Sequence, residues 1–74
     1  MRDITMNIRL IRLKEVMHVT GLARATIYKY MNEGTFPKSV SLGGRATAWE
    51  ISEIEEWVLE RIRERDEGID GEAA

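Results

Sequence analysis

A mainly α-helical domain with a small β-hairpin, arranged as a winged helix-turn-helix, is the fold this sequence predicts. Three observations predict it. Two short amphipathic segments flank a single glycine, Gly21; an alternating stretch around Gly43-Gly44 breaks the helical period; and a long amphipathic run follows Ser52. Two short helices joined around a glycine make a helix-turn-helix, and the hairpin after them is the wing.

Residues Met1 to Asn7 show no clear periodicity and read as a loose lead-in. Ile8 to Leu13 partly alternates and reads as a short extended segment. Lys14 to Val19 reads as a short helix, with Leu13, Val16 and Met17 on one face at spacing i, i+3, i+4. Gly21 ends it, because glycine readily takes the left-handed conformation at helix ends.

The second helix is expected from about Ala23 to Asn32 or Glu33. Ile27 and Met31, with Tyr30 beside them, form the inward face. The 100° step per residue then turns Ala25, Tyr28, Lys29 and Asn32 outward and leaves Arg24 near the boundary. Gly34 stops this helix. Val40 and Leu42 alternate with polar neighbours, Gly43-Gly44 is a two-residue turn signal, and Arg45 to Trp49 is the return strand.

Ser52 and Glu55 have the spacing of a capping box, which starts the last helix near Glu53. Early acids and the later Arg61, Arg63 and Arg65 suit its dipole. Ile54, Trp57, Val58 and Ile62 form its apolar stripe, with Ile51 as a staple. Gly68 is expected at its end. The domain organisation is therefore a lead-in at 1–7, one domain at 8–67 and a disordered tail at 68–74.

At 74 residues the chain is one domain with a small core, for which Trp49, Trp57, Phe36, Tyr28 and Tyr30 are the large candidates; the methionines are read as core as well. It has no cysteine and one histidine, His18, which excludes disulfides, thiolate catalysis, sulfur-ligated zinc and multi-histidine metal sites. His18 is read as a partly exposed structural residue. The carboxylates of the last helix have no nucleophile or metal partner, so neither enzyme activity nor a cofactor is expected. No apolar run approaches a membrane span and no apolar signal core follows Arg2 and Asp3, so a cytoplasmic location is expected.

The net charge of −2 conceals an uneven distribution. Residues 1–49 hold eight Lys or Arg against three acids, a net of +5; residues 50–74 hold three Arg against ten acids, a net of −7. Phosphate binding depends on local basic surface rather than on the total. The second helix of a helix-turn-helix is narrow enough to enter the major groove of B-DNA. A glycine-tipped wing lets its backbone approach the sugar-phosphate chain. The candidate DNA-binding residues are Arg24, Ala25, Thr26, Tyr28, Lys29, Asn32, Lys38, Gly43, Gly44 and Arg45. Arg12 and Lys14 could hold flanking phosphates. Each has a plainer reading: Arg24 and Lys29 as solvated charges, Tyr28 as a half-buried core aromatic, Thr26 as a local hydroxyl at the helix start, Asn32 as a cap.

The succession Leu13-Lys14-Glu15-Val16, Thr20-Gly21-Leu22-Ala23-Arg24-Ala25-Thr26-Ile27-Tyr28, Glu33-Gly34-Thr35-Phe36-Pro37-Lys38, Leu42-Gly43-Gly44-Arg45-Ala46, Trp49 and Ser52-Glu53-Ile54-Glu55-Glu56-Trp57 resembles the AlpA family of prophage regulatory proteins, relatives of small phage excisionases and of the MerR-type DNA-binding domain. The likeness spans about residues 8–66. It implies a sequence-specific regulator of prophage or genomic-island genes, acting on double-stranded DNA in integrase or excision control. The family's recognition helix matches at Arg24, Thr26, Tyr28 and Lys29, and its wing arginine at Arg45. The chain departs at Ala23 and Ala25, where the family usually carries serine; the first loses a helix cap, which shifts the expected burden to Arg24, Lys29 and the wing.

Two other roles fit the same residues: an excisionase-like architectural factor that bends DNA, and a protein-binding anti-repressor or integrase partner using the acidic last helix. Integrase and RNA polymerase are the protein partners such roles call for. No leucine heptads are present, so a monomer or weak oligomer, cooperative on repeated sites, is expected.

Overall fold

The computed structural model describes residues 8–72, with side chains through Gly68; the lead-in expected at 1–7 lies outside the described residues. The order of elements is β1 (Leu10–Ile11), α1 (Leu13–Thr20), α2 (Arg24–Glu33), β2 (Val40–Gly43), β3 (Ala46–Glu50) and α3 (Ile51–Glu72). The expected winged helix-turn-helix is present, three helices with a small antiparallel hairpin. The extended lead to α1 shrinks to two residues but pairs with β3, so the hairpin becomes part of a three-stranded sheet in the order β1-β3-β2.

α1 and α2 are short, and packing rather than propensity holds them. Gly21 stands at φ 77° and gives its N–H to the Met17 carbonyl, ending α1 in a left-handed cap. Thr20 stitches the turn. Its hydroxyl donates to the Val16 carbonyl at 2.8 Å and accepts the Leu22 N–H at 3.2 Å. α2 then starts at Arg24 behind Ala23, whose extended backbone (φ −77°, ψ 159°) is that of an N-cap with no side-chain oxygen to supply the bond.

The core is one cluster: Ile11, Val16, Ile27, Phe36, Trp49 and Ile54 are buried, and Leu13, Met17, Leu22, Tyr30, Met31, Ile51 and Trp57 close around them. The faces read from helical spacing on α1 and α2 are the ones buried. Fully burying such side chains contributes roughly 1.5–3 kcal/mol each, so six of them dominate the stability of a chain this size.

Register decides which face of the sheet joins the core. Ile11 pairs with Trp49 and both are buried; Leu10 pairs with Glu50 and Val40 with Ala48, and Ala48 is fully buried as well. β2, at the edge of the sheet, is exposed along its whole length, Val40 and Leu42 included, although their alternation is that of a half-buried strand. The turn sits one residue later than expected. Gly43 still pairs with Ala46, so Gly44 and Arg45 form the tip and the return strand runs Ala46–Glu50 instead of beginning at Arg45.

The start of α3 also differs from expectation. Helix begins at Ile51, directly after β3, so Ser52 lies inside it and the Ser52–Glu55 capping box does not form. Glu50 takes the cap instead. Its carboxylate accepts the Ser52 hydroxyl and lies near the backbone N–H groups of Ser52, Glu53 and Arg9. These donors hold its pKa below the ordinary value, the Ser52 hydroxyl foremost. The Arg9 carbonyl in turn accepts the Ile51 N–H at 2.8 Å, tying β1 to the same junction.

At the other end Gly68 does not stop the helix. It lacks the positive φ of a terminator, and α3 continues to Glu72. The tail expected at 68–74 is thus helical as far as the described residues reach. Ion pairs three residues apart, Arg61–Glu64 and Arg63–Glu60, brace this stretch on its exposed side.

Candidate nucleic-acid interface

The inward face of α2 is occupied by Ile27, with Tyr30 and Met31 beside it. Opposite them Arg24, Ala25, Tyr28, Lys29 and Asn32 are all exposed, while Thr26 is half-buried at the flank. The face proposed for a groove is therefore free of the core.

Arg24 and Tyr28 are the best-defined pair on it. The guanidinium carbon lies 5.5 Å from the centre of the Tyr28 ring, one helical turn away. Such stacking holds an arginine out from the helix surface while leaving its N–H donors free. Among the described residues no carboxylate pairs with Arg24, Lys38 or Arg45. Lys29 differs: it faces Glu33 at 4.0 Å, a weak exposed contact that shares its charge. Glu33 stands four residues on, the spacing that brings such pairs together on a helix.

The other predicted residues fall on the wing and its approach. Lys38 is exposed on the segment before β2. Gly43 is at φ 109° and Gly44 at φ 55°, conformations that side chains resist, and they carry Arg45 at the exposed tip. The candidates thus divide between two elements, the exposed face of α2 and the hairpin.

Residues that never looked functional hold α2 in place. The Trp57 indole N–H donates to the Thr35 carbonyl at 2.7 Å, just past the end of α2. Thr35 itself returns its N–H and its hydroxyl to the Tyr30 carbonyl, at 3.0 and 3.3 Å. Phe36 packs edge-on against Trp57 at 5.0 Å between centroids, Tyr30 lies 6.3 Å away, and Arg61 covers the ring from outside at 4.6 Å. Only long-range packing makes this clamp, so no local pattern could have announced it. His18 is exposed on α1, and no group of three metal-ligating side chains occurs among the described residues. No helix is long and apolar enough to cross a membrane.

Fold and exposed surface together define a small winged helix-turn-helix of the regulatory kind. A profile of the family described as "Prophage CP4-57 regulatory protein (AlpA)" matches residues 9–62. The chain is 40% identical over 62 residues to the "DNA-binding transcriptional activator AlpA" of Escherichia coli (strain K12), covering 76% of this chain and 89% of that protein. It is 48% identical over 68 residues to "Uncharacterized protein ORF88" of Enterobacteria phage P4, covering 92% of this chain and 76% of that one. The chain belongs to the AlpA family of prophage regulatory proteins.

Proposed function

We propose that this protein binds double-stranded DNA in a sequence-dependent manner and regulates transcription of the genes of an integrated element, those for integrase or excision foremost. The observation that carries the reading is the outward face of α2. It is solvent-facing along its length and carries Arg24 held over Tyr28, with Lys29 and Asn32 on the same side.

In this reading α2 lies in the major groove. Arg24 donates to base edges, guanine being the best match for its paired N–H groups. Lys29 and Lys38 approach phosphates, and Arg45 at the wing tip reaches the backbone or the adjoining minor groove. Tyr28 keeps Arg24 extended and presents its own hydroxyl to a phosphate. Ala25 and the two wing glycines add no side-chain donors; they allow close approach. The relative named as a DNA-binding transcriptional activator supports the assignment at 40% identity.

Fluorescence anisotropy against duplexes tiled across the neighbouring integrated genes tests it. One duplex is expected to bind well above the others, with log affinity falling linearly in log salt at a slope near −0.9 per phosphate contacted. Binding that is equal on every duplex overturns the sequence-dependent reading, and no binding at all overturns the reading entirely.

A further inference from the structure

Ile27 is the one fully buried residue of α2, and its position fixes which side chains of that helix lie farthest from the body. At 100° per residue, Ala25, Lys29 and Asn32 stand about 160°, 160° and 140° from it, whereas Arg24 and Tyr28 stand about 60° and 100° away on one flank. All five are exposed. A helix that enters a groove with its outward side foremost therefore leads with Ala25, Lys29 and Asn32, and the longer Arg24 reaches in from the side.

These three leading residues carry different chemistry. Lys29 is a point charge shared with Glu33 at 4.0 Å, on a chain long enough to turn aside to a phosphate. Ala25 offers a methyl group and no donor. Asn32 offers a donor beside an acceptor, and its amide bonds to no other group among the described residues. The end of α2 does not call on that amide, since the Gly34 and Thr35 N–H groups already take the Met31 and Tyr30 carbonyls. Ala25 and Asn32 are seven positions apart, within about 20° of one line along the helix. That separation is about 10 Å along the axis, or three base steps of about 3.4 Å.

We infer that Ala25 and Asn32 determine specificity, reading a thymine and an adenine three base steps apart in the major groove; this rests on the proposed DNA binding. The apolar group that a base edge presents there is the thymine C5-methyl, which matches the Ala25 methyl. Adenine presents its N6 amino group beside the N7 acceptor, which the Asn32 carboxamide matches with two hydrogen bonds, its oxygen accepting and its N–H donating. Both side chains are short, as the line of the helix nearest the bases requires. The site so defined is an A·T-containing one, with the Arg24 contact at its edge.

Selection from a randomised duplex library with the full chain, followed by fluorescence anisotropy on the enriched duplex, tests it. Each thymine is replaced in turn by deoxyuridine, which lacks only the C5-methyl, and each adenine by 7-deazaadenine, which carries C–H in place of the N7 acceptor. One thymine is expected to respond with about fourfold weaker binding, the worth of one buried methyl. One adenine three steps away is expected to respond with about tenfold weaker binding. Ala25→Gly is expected to bind the thymine and uracil duplexes alike, and Asn32→Ala the adenine and 7-deazaadenine duplexes alike, each keeping the wild-type response at the other base. Should Ala25→Gly lose helix by circular dichroism, Ala25→Asn replaces it with the same expected indifference to the methyl. A wild type indifferent to both replacements, responsive bases at another spacing, or a response that survives the matching variant overturns the two assignments while DNA binding stands. A library in which no duplex is enriched overturns the sequence-dependent binding itself, and these assignments with it.

Discussion

Trp57 on α3 donates its indole N–H to the backbone carbonyl of Thr35, 22 positions earlier, at 2.7 Å. Thr35 closes the end of α2 and Trp57 sits in the first half of α3, so one bond fixes where the exposed face of α2 points relative to the rest of the molecule.

Removing the clamp should therefore act on stability first. Trp57→Ala deletes the ring that Phe36 and Tyr30 pack against and should cost about 3 kcal/mol, the lower end for a buried aromatic because this ring is only partly buried. Trp57→Phe keeps most of the ring and loses the hydrogen bond, about 1 kcal/mol. Urea denaturation at neutral pH separates the two: a Trp57→Phe as stable as the wild type would mean the bond contributes nothing, and equal losses in both variants would mean the ring packing adds nothing beyond the bond.

The α2 start should be improvable. Ala23 has the backbone of an N-cap and no oxygen to use there. Ala23→Ser should stabilise the domain by about 1 kcal/mol, raising the melting temperature. No change would indicate that water already satisfies the α2 N–H groups as well as a hydroxyl would.

Glu50 predicts the acid limb of stability. Its carboxylate is held below the ordinary value of 4.5 by the Ser52 hydroxyl and backbone N–H groups. A group with a depressed folded pKa stabilises the fold above its unfolded pKa, and the contribution is lost as pH falls through the folded pKa. Melts from neutral pH into strong acid should show stability declining from about the ordinary carboxylate range downward. Glu50→Gln should be less stable at neutral pH and should show a shallower decline, and an unaltered profile would remove Glu50 from the cap.

On DNA, Arg24→Ala and Arg45→Ala should each weaken binding while the far-ultraviolet spectrum stays that of the wild type. Loss of a bidentate base contact at Arg24 should cost about 1–3 kcal/mol and relax preference at one base pair. Arg45→Ala should weaken all duplexes alike and reduce the salt slope by about one contact. Tyr28→Phe keeps the stacked ring and should bind nearly as the wild type does, whereas Tyr28→Ala should approach the loss at Arg24. Unchanged affinity in both arginine variants would falsify the groove-and-wing arrangement.

The order of the elements and the inward faces of α1 and α2 were legible in the residues because they depend on local chemistry. Gly21 and Gly34 stop helices through their own backbone freedom, and Leu13, Val16 and Met17 on α1, like Ile27 and Met31 on α2, recur at spacings that one helical face satisfies. The exposed face of α2 followed by subtraction, so the positions of Arg24, Tyr28, Lys29 and Asn32 were predictable once Ile27, Tyr30 and Met31 were turned inward. Tertiary structure alone decided the rest. Ser52 has good capping chemistry, but β3 runs straight into α3 and leaves Glu50 at the junction, where its carboxylate takes the Ser52 hydroxyl and lies near the N–H of Arg9, just before β1. Val40 alternates as a buried residue does, yet it lies on β2, the edge strand, where every residue is exposed although its partner Ala48 is buried. The Trp57–Thr35 bond joins residues too distant for any local pattern. Period and propensity act over a few residues, while caps, register and clamps depend on which distant atoms the finished packing brings within a few ångströms.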